Sequence, residues 1–432
     1  MRSACQMEES VLPLRRRVFS LMALGAAGSL AIWLAACGGG NVTVSGGFNP
    51  PQGTVSVSIT DPPSCRFPAG SFQSVWVTIR SVQAHISTTA GDGSSGWQEL
   101  AAFGQVANKV GALCVVLNDV PNQPLFGGLT EDALISYTFV EFAKSKDVTW
   151  PALLPMTKSA VRAMTAVQEV AKKQWGIDVK EFLVTGGSKR GWTTWLTAAV
   201  DKRVRAIAPL VYDILNFPKQ LPHQVATWGK YSEVIADYST KGLTEMLSTA
   251  EGQTLTAIVD PYSYRERFKM PKMVINGAND RYWVIDAARF YFNDLPGEKY
   301  LMYVPNAGHS LQEGLQRVVN NLTAFYLAVA SRQPLAEIKA DVKRQGNKLL
   351  VTVTTKGKVD GVQIWTAQSS TKDLRNSRWT AQNAQPAGNG KYTVEIALPT
   401  DAMSFALFAD AQGTVNGTEY HVCTVPVVAV LK

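Results

Sequence analysis

Histidine and cysteine are scarce in this chain, with four and five copies among 432 residues. The cysteines, Cys5, Cys37, Cys65, Cys114 and Cys423, show no CxxC spacing, so no zinc framework is written into the sequence; no metal ligand set and no cofactor are expected. Charged residues make up 18% of the chain, the formal net charge is +8, and the only basic block is Arg15–Arg17. Without a longer Lys/Arg run or a reading motif, nucleic acid is not an expected partner. What is present is a hydrophobic share of 46%, enough over this length for a sizeable core without disulfides. Cys65, Cys114 and Cys423 lie far apart and read as structural, with room for one bridge outside the cytoplasm.

The chain opens like an exported protein. Arg15–Arg17 precede an apolar run from Val18 to Ala36, which ends in Leu34-Ala35-Ala36-Cys37-Gly38. A positive start, an apolar middle and small residues at a cut describe a signal peptide over residues 1–37. The Leu-Ala-Ala-Cys end resembles a bacterial lipobox, which makes Cys37 the expected lipidation site and gives the chain a membrane partner through a lipid anchor. Arg16-Arg17-Val18-Phe19 is also similar to a twin-arginine signal. An uncleaved anchor is the competing reading, since the run is near the lower limit for a spanning helix. Gly39 in place of Asp resembles outer-membrane sorting, so an exported lipoprotein, at the outer membrane or on the periplasmic face, is expected. Residues 38–53, rich in Gly, Ser and Pro, read as a flexible tether.

Three textures follow. Over 54–103, Val55, Val57 and Ile59, then Val75, Val77 and Ile79, alternate with polar residues, which predicts half-buried strands of a small β-rich segment. This segment resembles a β-rich domain that opens other bacterial lipoproteins; His85 lies in it and reads as structural. Over 104–332, apolar runs of strand length alternate with helical stretches, as in βαβ units with a parallel sheet. The predicted strands are Leu113–Leu117, Phe182–Thr185, Ala206–Val211, Lys272–Ile275 and Tyr300–Val304. Ala160, Met164, Val167 and Ala171 fall at helical spacing. Over 333–432, short strands such as Lys348–Thr354 and Val362–Trp365, separated by turn residues, predict a β-sandwich.

The chemistry concentrates at three strand ends. Phe182–Thr185 runs into Gly186-Gly187-Ser188-Lys189-Arg190-Gly191 and then a helix, which presents Ser188 on a tight strand-to-helix turn. The second glycine falls three residues after the serine, where the common elbow has it two after. A serine nucleophile needs a base, and the base an orienting carboxylate, in the chain order Ser, acid, His. Asp280 follows the strand beginning at Lys272, and His309 follows the strand beginning at Tyr300. Asp213, at the end of another strand, competes for the role of acid. His223 falls in a cap segment and His421 near the end of the sandwich. For the oxyanion, the backbone N–H of Lys189 and a donor from the loop after Leu117, represented by Asn122, are expected. The side chains of Lys189 and Arg190 read either as holding an anionic substrate or as covering surface.

Several stretches in order resemble the PhoPQ-activated pathogenicity-related (PqaA-type) family. These are Val120-Pro121-Asn122-Gln123-Pro124-Leu125, Leu154-Pro155-Met156-Thr157-Lys158, Gly187-Ser188-Lys189-Arg190-Gly191-Trp192, Val259-Asp260-Pro261-Tyr262-Ser263-Tyr264 and Pro305-Asn306-Ala307-Gly308-His309-Ser310. The resemblance implies an α/β class and an α/β-hydrolase fold, a mostly parallel sheet flanked by helices, with a C-terminal β domain and a link to bacterial virulence regulation. It makes the position of Arg190 a family feature. The implied function is an exported serine hydrolase acting on an ester or amide, small molecule or polymer. A non-catalytic binding or signalling protein on the same fold, or an inactive truncated fusion, are the alternatives. The likeness is read from near Gly104 onward, which leaves the first strands of the sheet unaccounted for.

Overall fold

A computed structural model describes residues 105–106, 109–117, 120–121 and 123–431, together with the backbone of two short strands at 19–24 and 83–85. Cys37, the tether and most of the 54–103 segment lie outside the described residues, as do Asn118, Asp119 and Asn122.

Seven strands form the central sheet: β1 (Phe19–Leu24), β2 (Gln83–His85), β3 (Leu113–Leu117), β4 (Glu181–Gly187), β5 (Val204–Leu210), β6 (Lys272–Gly277) and β7 (Lys299–Val304). Their order is β2-β3-β1-β4-β5-β6-β7, parallel throughout except for β2, which runs antiparallel on β3. This is the α/β-hydrolase architecture. The apolar runs predicted as strands are strands, each within a few residues of the predicted ends. Their period of two divides each run between two faces: Val274, Leu301 and Tyr303 join the cluster on one side, and Met273, Ile275, Met302 and Val304 the cluster on the other.

Helices α1 (Glu131–Ser145), α2 (Leu153–Trp175), α3 (Lys189–Val200), α4 (Phe217–Trp228), α5 (Ala250–Val259) and α6 (Leu315–Ser331) surround the sheet, with single helical turns between α4 and α5. In α2 the predicted stripe of Ala160, Met164, Val167 and Ala171 is buried, and the helix stops at Gly176, whose φ of 67° suits a residue without Cβ. On the opposite face α6 buries Leu322, Phe325 and Val329.

The place between β3 and β4 is filled by β1, with Ser20 opposite both Leu113 and Phe182. The strands left unaccounted for in the sequence are thus supplied by residues 19–24 and 83–85. The first of these lies inside the apolar run read as an export signal. A leader removed at Cys37 and a strand retained in the sheet cannot hold of one molecule.

From Glu337 onward two antiparallel sheets face each other. One holds β8 (Glu337–Gln345), β9 (Lys348–Lys356), β12 (Gln385–Gly388) and β13 (Lys391–Ala397). The other holds β10 (Gly361–Ser369), β11 (Thr380–Asn383), β14 (Ser404–Val415), β15 (Thr418–Cys423) and β16 (Val427–Val430). Val351 and Val353 of the first sheet and Ile364 and Leu407 of the second fill the space between them, as expected of a sandwich. The bridge allowed by the sequence does not join Cys114 to Cys423: both are buried free thiols, and burial pushes the Cys114 thiol up to about 12.

Candidate active site

Ser188 is the single residue between β4 and α3, with φ 55° and ψ −123°. A side-chain-bearing residue there stores on the order of 1–3 kcal/mol of strain and persists only where the surroundings over-determine it. Here they do. The Ser188 N–H donates to Leu210 O at 3.0 Å, which ties the turn to β5. A Cβ on Gly186 would stand 2.8 Å from Arg190 Cβ, and one on Gly191 would stand 2.8 Å from Leu210 O. The second glycine therefore belongs where α3 crosses the end of β5, three residues after the serine, and position 190 is free to carry a large side chain on another face. Ser188 stands at the N-terminus of α3, where the first N–H groups, Lys189 among them, have no intrahelical acceptor and favour negative charge.

Asp280 and His309 meet. Asp280 Oδ2 lies 2.7 Å from His309 Nδ1, and Asp280 Oδ1 accepts the N–H of Tyr282 at 2.8 Å. Their loops follow β6 and β7 and touch: a Cβ on Gly277 would fall 2.4 Å from Gly308 O and 2.5 Å from Ala307 O. With Nδ1–H donated to the carboxylate, Nε2 is left as the acceptor; it is buried and has no partner among the described residues. The hydrogen bond from Ser188 Oγ to His309 Nε2 is not formed in this structure, and such bonds commonly close only with substrate in place. The ring of Tyr282 covers the imidazole, centroids 4.1 Å apart at 31°, and Tyr282 lines the same cavity as Ser188. Burial first, and the Asp132 and Asp280 charges second, push the Tyr282 phenol up, which keeps it neutral.

The competing acid is occupied elsewhere. Asp213 accepts the hydroxyls of Tyr291 and, at 2.8 Å, Tyr303. Burial pushes its pKa up to about 7 against the lowering effect of those two donors. His223 pairs with Asp286 at 2.6 Å, and His421 with Asp410 and Glu419 at 3.0 and 2.9 Å, so neither joins the cluster at Ser188.

Neither role read for the side chains of Lys189 and Arg190 holds. Arg190 is 1% exposed and its two terminal nitrogens donate to both oxygens of Glu131, each at 2.6 Å. Lys189 is 5% exposed and its Nζ lies 3.0 Å from Asp132 and 3.3 Å from Glu131. Burial alone would raise the pKa of Glu131; the Arg190 bonds and charge, with Lys189 beside them, hold it below the usual value. Gln123 completes the anchor, donating to Glu131 Oε1 at 2.5 Å and accepting the Glu131 N–H at 2.8 Å. These two cations lock α3 to the start of α1. Sequence reasoning missed the partners, although Gln123 lies inside one of the stretches singled out and Glu131-Asp132 follow it closely.

The site opens into a cavity of about 90 Å³ that is open to solvent and roofed by α4, α5 and the turns between them. Its wall is mostly apolar and aromatic, the usual character of a small-molecule site. Asp260, also singled out in the sequence, accepts the backbone N–H groups of Asn216, Phe217 and Tyr262 and so fixes the start of this roof. Among the described residues no cluster of three or more His, Cys, Asp or Glu side chains is arranged to hold a metal ion.

Comparison with known proteins adds the following. A model of a family described as PhoPQ-activated pathogenicity-related protein matches residues 76–375. The likeness thus begins earlier than Gly104 and reaches only the first part of the sandwich. Autocrine proliferation repressor protein A of Dictyostelium discoideum is 32% identical over 374 residues, 78% of this chain and 75% of that protein. Among solved structures, Est1E from Butyrivibrio proteoclasticus aligns at 14% identity with 56% of this chain and 86% of its own, with a TM-score of 0.34. Acetyl xylan esterase 1 from Thermoanaerobacterium sp. JW/SL YS485 aligns at 15% identity with 56% of this chain and 72% of its own, with a TM-score of 0.37.

Proposed function

This chain belongs to the PhoPQ-activated pathogenicity-related protein family, and from that premise we propose that it is a serine hydrolase that cleaves an ester or amide bond. The observation that carries the reading is the Asp280–His309 pair, 2.7 Å apart, whose free imidazole nitrogen is buried and whose ring is covered by Tyr282, a residue that lines one cavity with Ser188. In the proposed reaction Ser188 Oγ attacks the carbonyl carbon while His309 Nε2 takes its proton. The tetrahedral oxyanion is met by the Lys189 N–H at the head of α3, and the imidazolium is stabilised by Asp280. Collapse expels the alcohol or amine, which takes the proton back from Nε2, and water then repeats the sequence on the acyl-serine. Asn122 remains the proposed source of the second oxyanion donor.

A fluorophosphonate probe tests the assignment. Labelling of the full chain, lost in Ser188→Ala and strongly reduced in His309→Ala, is the expected result. An unlabelled wild type that is folded by circular dichroism removes it. The second reading, a non-catalytic signalling protein on this fold, draws on one observation, the printed name of the Dictyostelium relative; it requires an unlabelled serine and a saturable partner. The export reading is proposed from the sequence before Gly38 alone: a lipoprotein anchored through Cys37.

A further inference from the structure

Resting on the hydrolase reading, the cavity that Ser188 lines also limits what that serine would act on, through the polarity and the size of its wall. The charged groups of the wall face each other. Lys189 Nζ lies 3.0 Å from Asp132 and 3.3 Å from Glu131, and Asp132 also accepts the Tyr238 hydroxyl at 2.9 Å. The Thr244 hydroxyl donates to Glu245 at 2.7 Å, and the Trp192 indole N–H donates to Val259 O at 2.5 Å. The Tyr212 hydroxyl and the Trp283 N–H are buried within the wall and present almost no surface to an occupant. An anionic group would meet a cation already spent, and a sugar ring would find few partners for its hydroxyls. Either would give up water for no new hydrogen bond, which is costly.

The size of the cavity narrows the choice further. Its volume is about 90 Å³. An apolar cavity of about 150 Å³ holds benzene, so its six carbons scale to roughly four here. Part of the wall cannot yield easily. Trp192 is held among three rings, Phe139 at 6.0 Å, Tyr212 at 5.3 Å and Phe217 at 5.7 Å, and by its bond to Val259 O. Rings packed in this way transmit strain when a larger group is forced against them. The roof contributes Leu247, half-buried, and Leu255, buried.

We propose that the cavity seats a short, uncharged hydrocarbon group of the scissile ester, on the order of four carbons long. Apolar contact with the wall selects for it over a two-carbon group, and the ring-packed wall and the roof select against longer chains and aryl groups.

The test uses the full chain and two series of probe esters, with each rate divided by that ester's rate with hydroxide. One series holds 4-nitrophenol constant and varies the acyl group through acetyl, butanoyl, octanoyl, benzoyl and the anionic 3-sulfopropanoyl. The other holds acetyl constant and varies the alcohol through ethanol, butan-1-ol, octan-1-ol and glycerol. In one of the two series, which identifies the side of the ester that is seated, kcat/KM is expected to peak at the four-carbon group. The peak should stand at least about tenfold above the two-carbon, eight-carbon and polar members. Leu247→Trp should lower the ratio of four-carbon to two-carbon ester, and Leu247→Ala should move the maximum toward eight carbons. Absence of a four-carbon maximum from both series, a maximum equalled by the anionic or hydroxylated ester, or a maximum that both Leu247 variants leave in place overturns the proposal, while Ser188 labelling leaves the hydrolase reading standing. If Ser188 is unreactive, calorimetry with the neutral ketone pentan-2-one and with butanoate decides. Saturable binding of the ketone alone, lost in Leu247→Trp, supports the apolar seat without catalysis; no binding of the ketone, or equal binding of butanoate, overturns it.

Discussion

Asn306 and Trp379 hold each other by their polar groups: Asn306 Nδ2 donates to Trp379 O at 3.0 Å, and the Trp379 N–H donates to Asn306 Oδ1 at 2.7 Å. Asn306 stands three residues before His309, with φ 61°, and Trp379 belongs to the sandwich. The loop of Asp280 is held by the same segment, since Asn279 Nδ2 donates to Arg375 O at 3.0 Å and Ser377 O at 2.7 Å. The C-terminal sandwich is thus joined to both loops that bring acid and base together.

Removing this clasp should show in turnover. Asn306→Ala loses two hydrogen bonds and places a residue with Cβ but no local hydrogen-bonding group at positive φ, at a cost of about 1–3 kcal/mol. On the best probe ester kcat is expected to fall at least about tenfold with KM little changed, since a small misplacement of a base is expensive. Asn279→Ala should act in the same direction. A lowered melting temperature with unchanged kcat would reduce the clasp to a purely structural contact.

Ser188 should trade stability for reactivity. Its φ of 55° and ψ of −123° suit glycine, so Ser188→Gly releases strain of about 1–3 kcal/mol, less the greater chain entropy of glycine. The variant is expected to melt above Ser188→Ala and to be inert to the fluorophosphonate. Equal melting temperatures would show that the turn is not strained.

Two buried carboxyls should shape the pH dependence of stability. Burial pushes Asp213 and Asp260 from 3.8 up to about 7 in the folded chain, against hydrogen bonds that lower them. Between those values the folded state holds protons that the unfolded state has lost, so stability falls as pH rises from about 4 to about 7 and levels above that. Asp213→Asn, which keeps a partner for Tyr291 and Tyr303, should flatten this decline. Denaturant midpoints measured across the window check it; a steeper decline in the variant reverses the sign and rejects the assignment.

The two readings of the first residues separate on mass. A chain cut at Cys37 carries a diacylglyceryl mass on that cysteine and lacks β1, whereas an uncut chain keeps Phe19–Leu24 between Leu113–Leu117 and Glu181–Gly187. Intact mass spectrometry of the membrane fraction is expected to show the lipid adduct. An uncut mass, with Phe19–Leu24 protected from hydrogen exchange, would retain the strand and end the lipoprotein reading.

Much of the sheet was legible because a buried parallel strand is a short continuous apolar run and its neighbour in sequence is an amphipathic helix. Leu113–Leu117, the strand before Gly186 and those beginning near Lys272 and Tyr300 are visible for that reason. The order of Ser188, Asp280 and His309 was legible because a residue just past a strand end has one place to be. The edge of the sheet was not: a three-residue strand such as Gln83–His85 carries no period, and β1 lies in an apolar run whose composition serves a leader equally well.

By itself, the sequence determined the class of fold, the sandwich at the end and the positions of Ser188 and His309 just past strand ends, since periodicity, glycine spacing and chain order are local properties. Only the tertiary structure decided between Asp280 and Asp213, turned Lys189 and Arg190 inward onto Glu131 and Asp132, and brought Asn306 to Trp379. Those choices depend on which charges and hydroxyls meet once water is excluded, and residues from 57 to 73 positions apart in the chain carry no sign of one another until the core is packed.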